Sequence, residues 1–297
     1  MDTFVLLTVT GLGLGAMYFL IASGLSLIYG LMGVLNFAHG AFITAGTYAT
    51  WYAESKLGGI GSQSARFLLA AVIGLAVGAV IGAAVEVVLI RPLYQRHIEQ
   101  VLVTVGLSLA LVALVQAIWG PTSRVYPVPG WLVSTSGFLG TEIPNDRFVE
   151  IAAAAVVLLG LLAFLRFTRY GLIIRAGVEN RAMVTALGID VKRAFTLVFA
   201  VGGVAAATAG VLAGVYFGSL DPEQGTSLLI FAFIVVVIGG LGSIVGSAAA
   251  AVVVGLVQQY ANYYASSGAG DMAVFLLLAV ALLLRPGGLA GKWAVAQ

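Results

Sequence analysis

Residues 3–53 read TFVLLTVTGLGLGAMYFLIASGLSLIYGLMGVLNFAHGAFITAGTYATWYA, 51 consecutive positions without Asp, Glu, Lys or Arg. A helix needs roughly 20 apolar residues to cross about 30 Å of hydrocarbon, so this one stretch is long enough for two crossings. Four more charge-free runs follow: Phe67–Val85 (19 residues), Gln100–Ser123 (24), Ala194–Leu220 (27) and Gln224–Gly270 (47). Two shorter apolar stretches lie around Phe148–Leu165 and at Met272–Leu284. Together they predict about nine spans, or eight if one segment is re-entrant, with residues 226–262 open to either reading. The last span has 13 clean residues after Asp271 and is expected only if Asp271 sits at the interface. Val72–Val85 and Ala248–Val257 are apolar on every face, whereas barrel strands alternate polar and apolar positions. Helices are the other way to satisfy the backbone in lipid. The expected fold is all-α, a polytopic transmembrane helical bundle forming a single domain over 1–297.

The rest of the composition agrees. Only 14 Lys and Arg and 12 Asp and Glu serve 297 residues, or 9% charged against 61% hydrophobic. A soluble domain carries about 25% charged residues, and a disordered chain is rich in charge and poor in apolar residues. Both classes are excluded. The absence of cysteine removes disulfides, thiolate metal sites and cysteine nucleophiles, and two histidines are too few for a buried transition-metal site. A net charge of +2 is too small for a nucleic-acid surface. Membrane lipid is the expected surrounding partner, and no nucleic acid is expected.

Alternate loops separate the basic residues. Arg91, Arg96, Arg166, Arg169, Arg175, Arg181, Lys192, Arg193, Arg285 and Lys292 fall on one side, and Lys56, Arg66, Arg124 and Arg147 on the other. The positive-inside rule places the larger set in the cytoplasm, with the N-terminus outside and the C-terminus inside. The opening residues have no basic n-region, so the first apolar stretch is expected to be retained. Glycines recur every four residues at Gly74, Gly78 and Gly82 and again at Gly210, Gly214 and Gly218, a spacing that lets helix backbones approach closely.

Enzymatic motifs fail on inspection. Residues 287–293 (GGLAGKW) lack the spacer and the Ser/Thr of a P-loop. Gly240 to Gly246 has the wrong spacing for a dinucleotide fingerprint, and Gly-x-Ser-x-Gly does not occur. Two features remain. In Tyr29–Gly40, glycines Gly30 and Gly33 interrupt an apolar helix and two polar side chains, Asn36 and His39, follow. Polar groups at membrane depth need partners in the bundle or a water-filled cavity. A second glycine break, Gly239 to Ser243 with Gly240 and Gly242, divides the 47-residue run, and paired breaks can mark a transport pathway. The alternative is two turns at the cytoplasmic face, with Asn36 and His39 as helix caps. The other feature is the cytoplasmic loop 166–193. Within it a short helix opens at Glu179 or Asn180 and ends at Gly188, with Met183, Val184 and Leu187 as an apolar patch fit for docking into a partner's groove. A basic connector at anionic headgroups is the other reading of this loop. Glu86, one turn beyond Gly82, is expected to pair with Arg91 or another cytoplasmic base. Beyond Glu86 and Asp271 the spans read as nearly free of ionisable groups, which counts against an ion-coupled relay.

At these places the chain resembles the permease subunits of bacterial ABC importers for branched-chain amino acids, of the LivH type. The matching residues are Gly24 to Gly30 leading into Asn36-Phe37-Ala38-His39-Gly40, then Arg91-Pro92-Leu93, Tyr170-Gly171 and Arg175-Ala176. Further matches are Glu179-Asn180, Ala186 to Ile189, Gly239 to Ser243 with Gly246, and Arg285-Pro286 with Gly288-Leu289. The resemblance implies half of a translocation pathway in a bacterial inner (plasma) membrane. Its partners would be a second permease (LivM-like, or a homodimer mate), two cytoplasmic ABC ATPases and an extracytoplasmic substrate-binding protein. It implies no catalysis and no cofactor on this chain, since ATP would be bound by the ATPases. It makes Asn36, His39, Gly40, Gly30, Gly33, Gly240 and Gly242 pathway candidates. Arg175, Glu179, Asn180, Met183, Ala186, Leu187 and Gly188 become the coupling segment that meets the ATPases. The loop 120–147, with four prolines and Trp131, is a contact for the binding protein or a connector. Permeases for urea, short amides or sugars, and a stand-alone secondary transporter or channel, are the alternatives.

Overall fold

The computed structural model describes residues 2–179, 184 and 190–290. Among the described residues nine helices occupy the predicted apolar stretches: α1 (Asp2–Met32), α2 (His39–Lys56), α3 (Gln63–Val85), α4 (His97–Trp119), α6 (Asn145–Phe167), α8 (Val191–Phe217), α9 (Gln224–Gly239), α10 (Ile244–Tyr264) and α11 (Ala269–Leu284). Two more, the short α5 (Gly130–Val133) and α7 (Arg169–Glu179), lie in the long loops. Six of the described helices are long and apolar enough to cross a membrane, while α9 and α11 are shorter apolar helices of 16 residues. The chain is a polytopic helical membrane protein. Residues 226–262 form two helices joined by a turn at Gly240 to Ser243. Asp271 lies in the first turn of α11, where its Oδ1 accepts from Gln258 Nε2 at 2.7 Å.

The loops alternate between the two ends of the bundle. At the Asp2 end, Thr141 donates to the Asp2 carbonyl and Glu54 pairs with Arg66 at 2.5 Å. Two small antiparallel pairs also lie there, β1 (Arg124–Val125) with β4 (Ser219–Leu220) and the hairpin β2 (Thr135–Phe138) with β3 (Thr141–Pro144). The all-α expectation passed over them because strands this short leave little periodicity to read. Tyr126 sits beneath this end with its ring against Gly214; burial pushes its phenol above the usual range, so it stays neutral. At the other end, Met32 and Tyr94 pack on Val184, Val191 and Phe195, and Leu289 donates to the Ile238 carbonyl at 2.8 Å.

Glycines hold the centre together. A side-chain carbon on Gly78 would meet the Gly203 carbonyl oxygen at 2.5 Å, and one on Gly15 would meet the Ala251 carbonyl oxygen at 2.5 Å. Thus α3 lies on α8, and α1 on α10, backbone to backbone, the close approach for which small residues suit membrane helices. α1 is the axial element: from Met17 to Ile28 all its side chains are buried. By contrast α4 and α6 are mostly exposed, with large apolar side chains such as Leu102, Leu109, Val156 and Leu159 turned outward.

A candidate substrate cavity at a broken helix

The second half of the opening run does not cross as one helix. α1 closes at Met32, where Gly33 donates to the Tyr29 carbonyl and takes the left-handed φ of +66° that ends a helix cheaply only for glycine. Residues 33–38 then return into the bundle without regular structure, and α2 begins only at His39. Its depth follows from its contacts. His39 Nε2 lies 3.2 Å from the carbonyl of Ile21, about three helical turns, or ~16 Å, before the end of α1. The interruption around Asn36 and His39 is therefore a re-entry at half depth rather than a turn at the end of the bundle. The other glycine break differs: Gly240 and Gly242 form a turn at the Met32 end, where Gly242 packs on Gly30 and Gly240 on Gly288.

Beside the re-entrant segment lies a cavity of about 430 Å³, within the size range of small-molecule sites. Its walls are apolar: Leu25, Phe37, Leu229, Phe233, Phe275 and Leu278 stand among them. Among the described residues Asn36, Ser108 and Thr226 are its polar side chains, and no charged one lines it. Asn36 is 1% exposed; its Oδ1 accepts from the Ala38 N–H at 3.1 Å, and its Nδ2 has no partner among the described residues. Phe37 N–H donates to Thr104 Oγ1 at 3.3 Å, tying the segment to α4.

Of the pathway candidates, Asn36 lines this cavity. His39 and Gly40 are buried just behind it, the His39 ring against Gly24 and Gly40 against Gly225 at the start of α9. Because His39 Nε2 faces a carbonyl, that nitrogen carries the hydrogen in the neutral ring, and Nδ1 is an acceptor without a partner among the described residues. Gly33 lies in open space, whereas Gly30, Gly240 and Gly242 serve the packing at the Met32 end. Sequence reading passed over Ser108, Thr226 and the aromatic wall. A signal for part of it exists: Gln100, Thr104 and Ser108 recur every four residues in an apolar run and are buried in α4.

Of the coupling candidates, Arg175 and Glu179 belong to α7, their side chains lying outside the described part. Asn180, Met183, Ala186, Leu187 and Gly188 lie outside the described residues, so the helix expected there has no counterpart to compare. α7 overlaps the expected coupling segment at Arg175–Glu179, and its first turns from Arg169 were not expected. Glu86 behaves as expected and does more. It is fully buried in a π-helical turn (Glu86–Ile90), accepts from Arg91 Nη2 at 2.8 Å and Thr196 at 2.6 Å, and also from Tyr94. Two buried acidic groups on α6, Asp146 and Glu150, were missed. Glu150 on α6 is fully buried, paired with Arg147 at 3.4 Å, while the Arg147 guanidinium lies 3.7 Å over the Tyr216 ring. It falls inside the stretch read as an uncharged span.

Residues 7–284 match the family model described as branched-chain amino acid transport system / permease component. This chain belongs to that permease family. The LivH permease of the high-affinity branched-chain amino acid transport system of Salmonella typhimurium is 31% identical over 290 residues, covering 95% of this chain and 94% of its own. The corresponding BraD permease of Pseudomonas aeruginosa is 30% identical, covering 96% and 94%. More distantly, the ribose import permease RbsC of Escherichia coli is 28% identical over 72% of this chain and 68% of its own. As a permease the chain is a LivH-type transport subunit and not an enzyme.

Proposed function

We propose that this permease is one subunit of an ATP-driven importer of branched-chain and other hydrophobic amino acids in a bacterial plasma membrane. The observation that carries the reading is the match along nearly the whole chain to permeases named for branched-chain amino acid transport. The cavity supports it: apolar walls suit an aliphatic side chain, and neutral polar groups suit a zwitterion without trapping it. A second permease, LivM-like or a copy of this chain, would close the open side of the cavity. Two ATPases would sit at the basic, cytoplasmic end and hold the ATP, and a binding protein would deliver substrate at the Asp2 end. Loop 166–193, with α7 in it, would carry ATPase movement into the bundle, and alternating access would follow from different contacts in the outward- and inward-open states. The ribose relative favours a sugar cargo as the second reading, but a polyol would leave most hydroxyls unpaired against Leu, Ile and Phe walls.

Uptake of labelled leucine and labelled ribose into proteoliposomes holding the full complex separates the two. Leucine uptake that needs ATP is the expected result, and uptake of ribose alone would reject the amino-acid cargo. Docking is tested separately. A bulky residue at Ala186 is expected to cut co-purification with the ATPases and uncouple hydrolysis from uptake. Undiminished yield and activity in that variant would remove the coupling role from this segment.

A further inference from the structure

A second cavity opens on the other flank of α4. That helix packs on α2 and barely touches α3, and the gap between α3 and α4 encloses about 200 Å³. Its floor is α2, where Ala41, Ala45 and Ala49 recur every four residues and leave the space free. Val77 and Ile81 of α3 form one side and Val112 and Val115 of α4 the other, while Leu114 and Ile118 make an exposed lip toward the surroundings of the bundle. From Ala41, near half depth, to Ala49 at the Asp2 end the slot follows the helix for about 12 Å. Its volume over that length is far too small for a helix about 10 Å across and leaves room for an extended hydrocarbon chain.

The head of the slot supplies the independent observation. Tyr48 and Trp119 line it with ring centroids 5.3 Å apart, and Trp51 and Tyr52 pack on that pair. Trp and Tyr gather where a span meets the lipid headgroups. Four basic residues serve this end of the bundle. Arg66 and Arg147 are engaged by Glu54 and Glu150. Lys56 and Arg124 are exposed and have no carboxylate within ion-pair distance among the described residues. Both stand over the aromatic cluster: Lys56 Nζ lies 5.3 Å from the Tyr52 ring, and the Arg124 guanidinium 5.2 Å from the Trp51 ring while donating to the Trp119 carbonyl. Asp221 and Glu223, also at this end, accept from the Glu223 N–H and from Gln116. The two cations left without a carboxylate are thus the two at the head of the apolar slot, and cation, aromatic ring and hydrocarbon follow one another as headgroup and chain do in a lipid. We infer that the slot between α3 and α4 holds one acyl chain of an anionic phospholipid from the leaflet at the Asp2 end, its phosphate met by Lys56 and Arg124. The other flank of α4 walls the large cavity at Val105, Ser108 and Leu109, and Thr104 accepts from the Phe37 N–H. A lipid seated here braces the helix that shapes that cavity.

The test uses the complete permease–ATPase complex, purified in mild detergent and stripped of free lipid. Bound lipid is counted by native mass spectrometry during titration with phosphatidylglycerol or with phosphatidylcholine of the same chains. The wild type is expected to bind phosphatidylglycerol the more tightly. Lys56→Gln with Arg124→Gln, both on the exposed surface, is expected to weaken phosphatidylglycerol about fivefold for each cation removed and to change phosphatidylcholine little. Ala45→Leu, which fills the floor, is expected to lower binding of both lipids with the cations in place; Ala49→Leu repeats the filling if the first variant fails to assemble. Equal binding of the two headgroups by the wild type, or phosphatidylglycerol binding undiminished in the double Gln variant, overturns the anionic site. Undiminished binding in the filled variants overturns the slot as the place of the chain. No exchangeable lipid of either kind, the result expected if a partner chain covers the slot, overturns the proposal as well.

Discussion

Asn36→Leu is expected to lower leucine uptake by one to two orders of magnitude while the complex assembles in normal amount. The side chain is buried, and its internal role is a single hydrogen bond from the Ala38 N–H. Leucine has similar volume and suits the surrounding Leu25, Phe37 and Phe233. Losing that bond costs about 1 kcal/mol, and removing an unpaired buried donor returns a similar amount. Folding is therefore close to neutral. Transport is not, because a hydrogen bond to a charged group is worth about 1.5–3 kcal/mol and each 1.4 kcal/mol is tenfold. Initial-rate uptake measured beside co-purification with the partner chains decides it. Wild-type uptake by this variant would remove Asn36 from the pathway.

Glu86→Ala carries the largest expected cost to stability. Its carboxylate accepts hydrogen bonds from Arg91, Thr196 and Tyr94, so one buried group ties the end of α3, the turn after it and the first turns of α8. Removing one partner of a buried ion pair costs about 3–5 kcal/mol. The low end applies here, since the Arg91 side chain is 31% exposed and water can replace part of the loss. Glu86→Gln keeps acceptor and shape and is expected to cost about half as much. Thermal midpoints of the purified complexes should order wild type, Gln, then Ala. A midpoint unchanged in the Ala variant would show that the network is not what holds this corner.

The helical architecture was legible because lipid imposes one rule on every span: backbone groups must be satisfied within the segment. Charge-free runs therefore map onto helices, and the break between α9 and α10 falls at the glycines that marked it. The pairing of Glu86 with Arg91 was legible for a related reason, since a carboxylate at the end of an apolar helix needs a nearby base. Glu150 was not, although it stands in plain view within an apolar stretch. Its partner Arg147 lies three residues away on the same helix, and only the tertiary packing, with the Tyr216 ring against the Arg147 guanidinium, shows that both are sheltered. Ser108 and Thr226 were hidden for a simpler reason. Small hydroxyl residues are common in membrane helices, where they can bond back to their own backbone, as Thr47 and Thr50 do, and nothing local separates those from a cavity wall.

The chain alone thus sufficed for its solvent, its helical class, the alternation of its loops and, through the motifs around Asn36 and His39, its family. Those properties depend on composition and on short-range rules that every residue carries with it. The re-entry at Asn36, the depth at which α2 starts and the meeting of Gly40 with Gly225 depend on long-range packing. A 51-residue apolar run is equally compatible with two full crossings. What selects the broken form is that α1 is enclosed by its neighbours along most of its length, and that Gly24 leaves room for the His39 ring beside the Ile21 carbonyl, which holds the start of α2 within the bundle.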